Sequence, residues 1–362
     1  MLIVDAHQDL AWNMLVFGRD YTRSALETRR LEMQSNTPER NGDTLLGWPE
    51  YQRGRVALVF ASLFVTPLRK RIDAWEALVY KDTAEARLRY RQQMEIYQRL
   101  VDRHPTRFRL VSSRAGLEAL LSAWQMEGGE AGHPVGLVVT IEGAECVEHP
   151  EELEEWWSLG VRLIGPAWAG TRFCGGTREP GPLTKEGRLL LEGMAEHGFI
   201  LDISHMDEQA VREALDIYPG VVAASHANAQ ALVGESDSNR HLSDRVLRGL
   251  IERDGVVGIV PFNPFLKAGW AKGDRREAVT LQQVVAQIDY VCQLAGDPYH
   301  VGIGSDFDGG YGVQSVPLEI DTIADLQKLG PILHEKGYTW EHIAAVLGGN
   351  WISLLRRGLP ND

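Results

Sequence analysis

With 362 residues, 44% of them hydrophobic and 24% charged, the chain has the side-chain balance of an ordered globular protein and ample apolar material for a large core. Its formal net charge of −13 repels a phosphate backbone, which excludes nucleic acid as an expected partner. No uninterrupted apolar stretch reaches membrane-spanning length, so no membrane contact is expected either.

Short runs rich in Val, Ile and Leu recur along the chain at 2–4, 56–65, 135–141, 161–164, 199–203, 221–224, 256–260 and 300–303. Their continuous apolar character is that of strands buried on both faces. Helical patterns fall between most of them, at 74–101, 185–197, 208–215, 244–253 and 281–294. This alternation implies parallel strands joined by right-handed crossovers. Eight such units predict an α/β fold of the (β/α)8 TIM-barrel class, as one domain over 1–362. Two polar, glycine-bearing stretches break the rhythm and read as insertions, 17–53 after the first strand and 168–182 after the fourth. A short apolar patch at 108–111 and a helix at 114–124 elaborate the second unit, and 323–357 is helical and closes the bottom or side of the barrel.

Cys146, Cys174 and Cys292 are too few and too scattered for a disulfide framework, which points to a reducing compartment. The opening MLIVDAHQDL carries no signal-like segment and the closing GLPND no apolar tail, so the expected location is cytoplasmic.

Candidate ligands gather at the C-terminal ends of the predicted strands, where barrel enzymes place their reacting groups. The first strand runs into Asp5-Ala6-His7-Gln8-Asp9, and strand alternation would put His7 and Asp9 on one side. The third ends in Glu142, the fifth in Ser204-His205, the sixth in Ser225-His226, and the eighth in Ser305-Asp306. A single catalytic zinc takes three protein ligands and keeps an open position. His7, Asp9, Glu142, His205 and His226 exceed that count, and two metals accommodate it. Glu142 would then bridge, with His7 and Asp9 on one ion and His205 and His226 on the other. A metal-bridging hydroxide would be the nucleophile, and Asp306 the group that moves its proton to the leaving nitrogen. The other histidines fall in turns, helices or strand starts, except that His241 follows Arg240 in a loop able to reach the site.

The motifs DAHQDL, IEGAE, DISHM, ASHAN, SNRHLSD and GIGSDFDG, in this order along nearly the whole chain, resemble those of the membrane (renal) dipeptidases, zinc peptidases of the amidohydrolase superfamily. The resemblance implies a binuclear Zn2+ site on the five ligands above, Asp306 as acid/base, and Arg240 as receiver of the substrate's terminal carboxylate. The planar guanidinium fork suits that task. It further implies dipeptide hydrolysis and a homodimer, here as a soluble bacterial-type member. One departure stands out: after the fourth strand the family carries a His thought to polarise the scissile carbonyl, and Trp168 occupies that place. Indole Nε1 can donate one hydrogen bond, or the ring can act as an apolar wall against substrate. Two other activities fit the same residues, an amidohydrolase acting on N-acyl amino acids or another small amide, and a metal-binding homologue without turnover.

Overall fold

In the computed structural model, which describes residues 1–126, 132–234 and 238–362, eight parallel strands form one sheet. They are β1 (Ile3–Gln8), β2 (Val56–Phe64), β3 (Val135–Glu142), β4 (Val161–Gly165), β5 (Ile200–Asp202), β6 (Val222–Ala223), β7 (Val257–Ile259) and β8 (Val301–Ile303). The order is β6-β5-β4-β3-β2-β1-β8-β7, and a parallel bridge from Ala224 to Val257 brings its two ends together as a barrel. Every residue of these strands is buried, which explains why they read as unbroken apolar runs rather than alternating ones. No helix among the described residues is long and apolar enough to cross a membrane.

The ring is narrow where β6 ends. A Cβ on Gly258 or Gly304 would lie 2.0 or 1.8 Å from the Ser225 carbonyl oxygen, so only glycine lets the backbone beside His226 tuck in there. At the opposite end the C-terminal helices cap the barrel floor. Trp351, fully buried, donates from Nε1 to the Ile303 carbonyl at 3.0 Å and packs edge-on against Phe60.

Several boundaries differ from the sequence expectation. The first strand continues through Gln8, so His7 lies within it, while Asp9 is the residue before the helix Leu10–Val16 rather than part of the strand. The long helix starts at Thr83, not 74, because the Asp82 side chain caps it by accepting from Glu85 N. The preceding residues instead form a loop with a two-residue strand pair, Thr66–Pro67 with Val79–Tyr80. The patch near 108 becomes a ninth strand, Phe108–Leu110, paired with the N-terminal half of β3. The expected loop at 168–182 carries an antiparallel hairpin, Cys174–Gly176 with Glu179–Leu183.

The insertion after β1 is folded into three short helices, Ala25–Glu32, Thr37–Asn41 and Trp48–Gly54. A buried charge cluster ties it to the loop after β8. The Arg19 guanidinium contacts Asp308 at 3.0 Å and Glu32 at 2.9 Å, while the Asp308 carboxylate also accepts from Tyr21 and from the Leu45 amide. Removing one member of such a pair leaves an uncompensated buried charge. Arg19→Met is therefore expected to cost about 3–5 kcal/mol of stability, measured as a fall in the denaturant midpoint. A wild-type midpoint would show that solvent reaches this cluster.

Candidate active site

The C-terminal end of the barrel gathers three imidazoles and three carboxylates. His7 comes from β1, Glu142 from the end of β3, and Asp9, His205, His226 and Asp306 from the turns that follow β1, β5, β6 and β8. The Glu142 carboxylate stands between the imidazoles and divides its two oxygens among them. Oε2 lies 3.4 Å from His7 Nε2; Oε1 lies 2.8 Å from His205 Nε2 and 3.4 Å from His226 Nε2. Although Asp9 has left the strand, its Oδ1 sits 3.6 Å from His7 Nε2. Asp306 Oδ1 is 4.0 Å from the same nitrogen. Ligand atoms of His7, Asp9 and Glu142 form one group within 4.8 Å of one another, those of Glu142, His205 and His226 a second, and those of His7, His226 and Asp306 a third.

Polar atoms so placed need a cation. His7 is 1% exposed and neither ring nitrogen has a hydrogen-bond partner, while His205 Nε2 and His226 Nε2 face each other at 2.9 Å. Buried nitrogens left unpaired, or aimed at one another, are costly unless a shared electrophile takes their lone pairs. The donor set, imidazole nitrogen plus carboxylate oxygen, is the one divalent zinc and its neighbours accept. These residues fit a metal centre.

Electrostatics within the cluster point the same way. Burial favours neutral Glu142, yet His7 and His205 outweigh it and hold the carboxyl well below the usual range. Burial likewise opposes charge on His7, but Glu142 and Asp9 raise it well above the ordinary imidazole value. His205 is pushed down to about 4 by burial and by Arg240, which leaves its ring neutral and free to coordinate. His226 is also pushed far down, by burial and then by His7. Burial drives the Asp306 carboxyl well above its ordinary range, with Asp9 and Glu142 adding to the rise and His7 and Arg240 opposing it. A raised carboxyl at a barrel mouth is suited to carrying a proton.

Two of the three imidazoles are held by neighbours that the sequence context left without a role. Thr177, in the hairpin after β4, lies 2.9 Å from His205 Nδ1, so the opposite nitrogen faces Glu142. Ser225 Oγ lies 2.8 Å from His226 Nδ1 and donates to Asp202, whose other oxygen accepts from the Ser225 amide. Ser62 donates to Asp9 Oδ1. The serines beside His205 and His226 are visible in the sequence. Thr177, 28 residues from its histidine, carries no signal there.

Arg240 is brought to the same mouth. It is 4% exposed, donates to the carbonyls of Ser204 at 2.8 Å and His226 at 2.6 Å, and lies over the Phe265 ring. Its fork is thus fixed from behind by the residues that carry the imidazoles, and it lines a cavity of about 580 Å³ together with His241, Trp168 and Asp306. His241, which packs edge-on to Phe265, is pushed down to about 4 by burial and by Arg240, so it enters as a neutral wall. Trp168 is half-buried, with its ring centroid 5.0 Å from Phe64 and 6.2 Å from His205. It borders both the Arg240 cavity and a second one of about 210 Å³, which also share His205 and Asp306.

The sequence model described as membrane dipeptidase, peptidase family M19, matches residues 1–358. The chain belongs to the membrane dipeptidase family. An uncharacterized protein in the pqqA 5′ region of Klebsiella pneumoniae is 32% identical over 258 residues, 68% of this chain and 91% of that one. The dipeptidase tcpJ of Claviceps purpurea is 25% identical over 84% of this chain and 67% of its own. Among solved structures, a Rhodobacter sphaeroides metallopeptidase liganded with a phosphinate mimic of L-Ala-D-Ala shares 23% identity and a TM-score of 0.78, covering 99% of both chains. The probable dipeptidase PvdM of Pseudomonas aeruginosa superposes with a TM-score of 0.77 at 19% identity, over 99% of this chain and 95% of that one. As a member of this family of metallopeptidases, the chain is a metal-dependent peptide hydrolase with a TIM-barrel-like fold.

Proposed function

We propose that this M19 peptidase is a binuclear zinc dipeptidase whose substrates carry a free C-terminal carboxylate. The observation that carries the reading is the divided Glu142 carboxylate, with one oxygen toward His7 and the other toward His205 and His226. His7 and Asp9 would hold one ion, His205 and His226 the other, and Glu142 both. When bound, such a pair supplies positive charge that acidifies water and polarises a carbonyl.

The protein's own groups account for the remaining requirements. Arg240, anchored by two carbonyls, retains N–H groups toward the 580 Å³ cavity and would fix the terminal carboxylate there. That places the scissile amide between Arg240 and the carboxylate cluster. Water adding to the amide carbon must lose a proton, and the departing nitrogen must gain one. The Asp306 carboxylate, 4.0 Å from His7 Nε2, would accept the first proton and, once protonated, deliver it to the nitrogen.

Arg240 gives the reading a direct test. Amidating the C-terminus of a good dipeptide should cost most of kcat/KM in the wild type, and Arg240→Ala should harm the free acid far more than the amide. Equal loss on both substrates would place Arg240 outside the carboxylate subsite. Since Trp168 packs on Phe64 and lines both cavities, we assign it the role of a wall. Trp168→Phe should then leave kcat within about twofold, whereas a tenfold fall, about 1.4 kcal/mol of transition-state stabilisation, would make Nε1 an oxyanion donor.

A further inference from the structure

Aspartate is favoured just ahead of a helix because its carboxylate accepts from one of the first free amides. Asp9 stands in that place before the helix Leu10–Val16, yet its side chain caps nothing. The Ala11 amide donates instead to Tyr97 Oη at 3.2 Å, and Tyr97 donates on to the Ser62 carbonyl at 2.7 Å. The Asp9 carboxylate is thereby released toward His7, while its main-chain carbonyl still accepts from the Asn13 amide at 3.1 Å and opens the helix.

That carbonyl is also tied to the turn that bears Asp306. Asn13, fully buried, donates from Nδ2 to the Asp9 carbonyl and to the Asp308 carbonyl, each at 2.9 Å. Its Oδ1 accepts from Asn41 Nδ2 at 2.7 Å and from Arg19 Nη1 at 3.2 Å. Only a carboxamide offers two donors and an acceptor on a side chain this short. The turn it grips needs such support. Asp306 and Asp308 are both left-handed, with φ of 55° and 66°, a conformation that residues other than glycine keep only where their surroundings over-determine it.

We propose that Asn13 is a positioning residue that fixes the distance between Asp9 and Asp306, and so between the His7 side of the metal centre and the acid/base group. The role of Asp306 in this statement rests on the dipeptidase reading above. Asn13 acts through main chain alone: one carbonyl belongs to Asp9 itself, and the other lies two residues beyond Asp306. Misplacing a reacting group by about 1 Å from a remote position can cost roughly 10²-fold in rate, so a clasp of this kind carries a large kinetic effect without touching substrate.

The test is Asn13→Asp, which keeps the size and the acceptors facing Arg19 and Asn41 but, as a carboxylate, donates to neither carbonyl. On L-Ala-D-Ala, kcat of the zinc-loaded variant should fall by about 10- to 100-fold, with KM and zinc content near the wild-type values. Asn13→Gln, which retains the donors on a longer stem, should recover part of the loss. In an Asp306→Asn background, where the group being positioned is gone, Asn13→Asp should change kcat by less than about twofold. The full loss in that background would make Asn13 merely structural, and loss of zinc would confine its action to Asp9; either overturns the proposal. Hydrogen exchange of the metal-free protein gives a readout that needs no turnover. Asn13→Asp should speed exchange across 305–311 and leave 345–355, at the barrel floor, as protected as in wild type. Unchanged exchange across 305–311 also overturns the proposal, whereas a zinc-loaded wild type inert on dipeptides overturns only the reading beneath it and leaves exchange to decide the clasp. Should Asn13→Asp not fold, Asn13→Ala takes its place in both measurements with the same outcomes.

Discussion

Asp306→Asn should lower kcat by roughly 10²- to 10⁴-fold, the usual contribution of a positioned acid/base group, while metal content stays at the wild-type value. The carboxyl is forced up by burial and by its carboxylate neighbours Asp9 and Glu142, and the amide that replaces it can neither take up nor release a proton. Backbone geometry adds to the isolation of this group. Asp306 and Asp308 both adopt the left-handed conformation, with φ of 55° and 66°, and the Arg19–Asp308 pair two residues on pins the turn. The competing role is that of a ligand, since Asp306 also belongs to the group with His7 and His226. Elemental analysis of the variant separates the two. Loss of one ion alongside activity makes Asp306 a ligand, and wild-type rates with full metal make it structural.

Glu142→Gln should remove metal from both halves of the site at once and abolish turnover with it. Residues that only orient metal ligands contribute about 10- to 100-fold in affinity, so a ligand shared by two ions is expected to contribute more than that. A neutral amide cannot offer an anionic oxygen to each side, and the buried His205 and His226 nitrogens would lose the carboxylate they both approach. Titration of the metal-free protein with zinc, in wild type and variant, reads the effect. Weakening of one site alone would show that Glu142 serves a single ion and that the two-ion arrangement is wrong.

Most of the barrel was legible because strands buried on both faces must be apolar throughout, and β2 and β3 fall almost where their Val, Ile and Leu runs lie. The residue types of the candidate metal cluster were legible for a related reason, since a His or Glu directly after an apolar strand has few purposes in the interior of a protein. What local pattern could not supply was anything set by contacts distant in sequence. Helical periodicity continued back to residue 74, but the chain there is drawn into a loop by Glu76, whose partners Thr66 and Ile72 fix it under the aromatic residues. Asp9 was placed beside His7 by strand alternation; it reaches the same atom from a helix start instead, because Ser62 of β2 holds its carboxylate.

The sequence by itself determined the eight-unit barrel and the set of imidazoles and carboxylates at its mouth, because burial and strand ends are local properties of composition and order. Only the tertiary structure decided how Glu142 divides its oxygens, that Thr177 and Ser225 orient two of the imidazoles, that two main-chain carbonyls immobilise Arg240, and that Glu76 lines a cavity with Trp12, Phe64, Trp75 and Trp168. Apart from the adjacent Ser225–His226 pair, each of these depends on distances of a few ångströms between residues tens to hundreds of positions apart. Such distances are set by the closure of the ring and the packing of its insertions, and no periodicity within one segment encodes them.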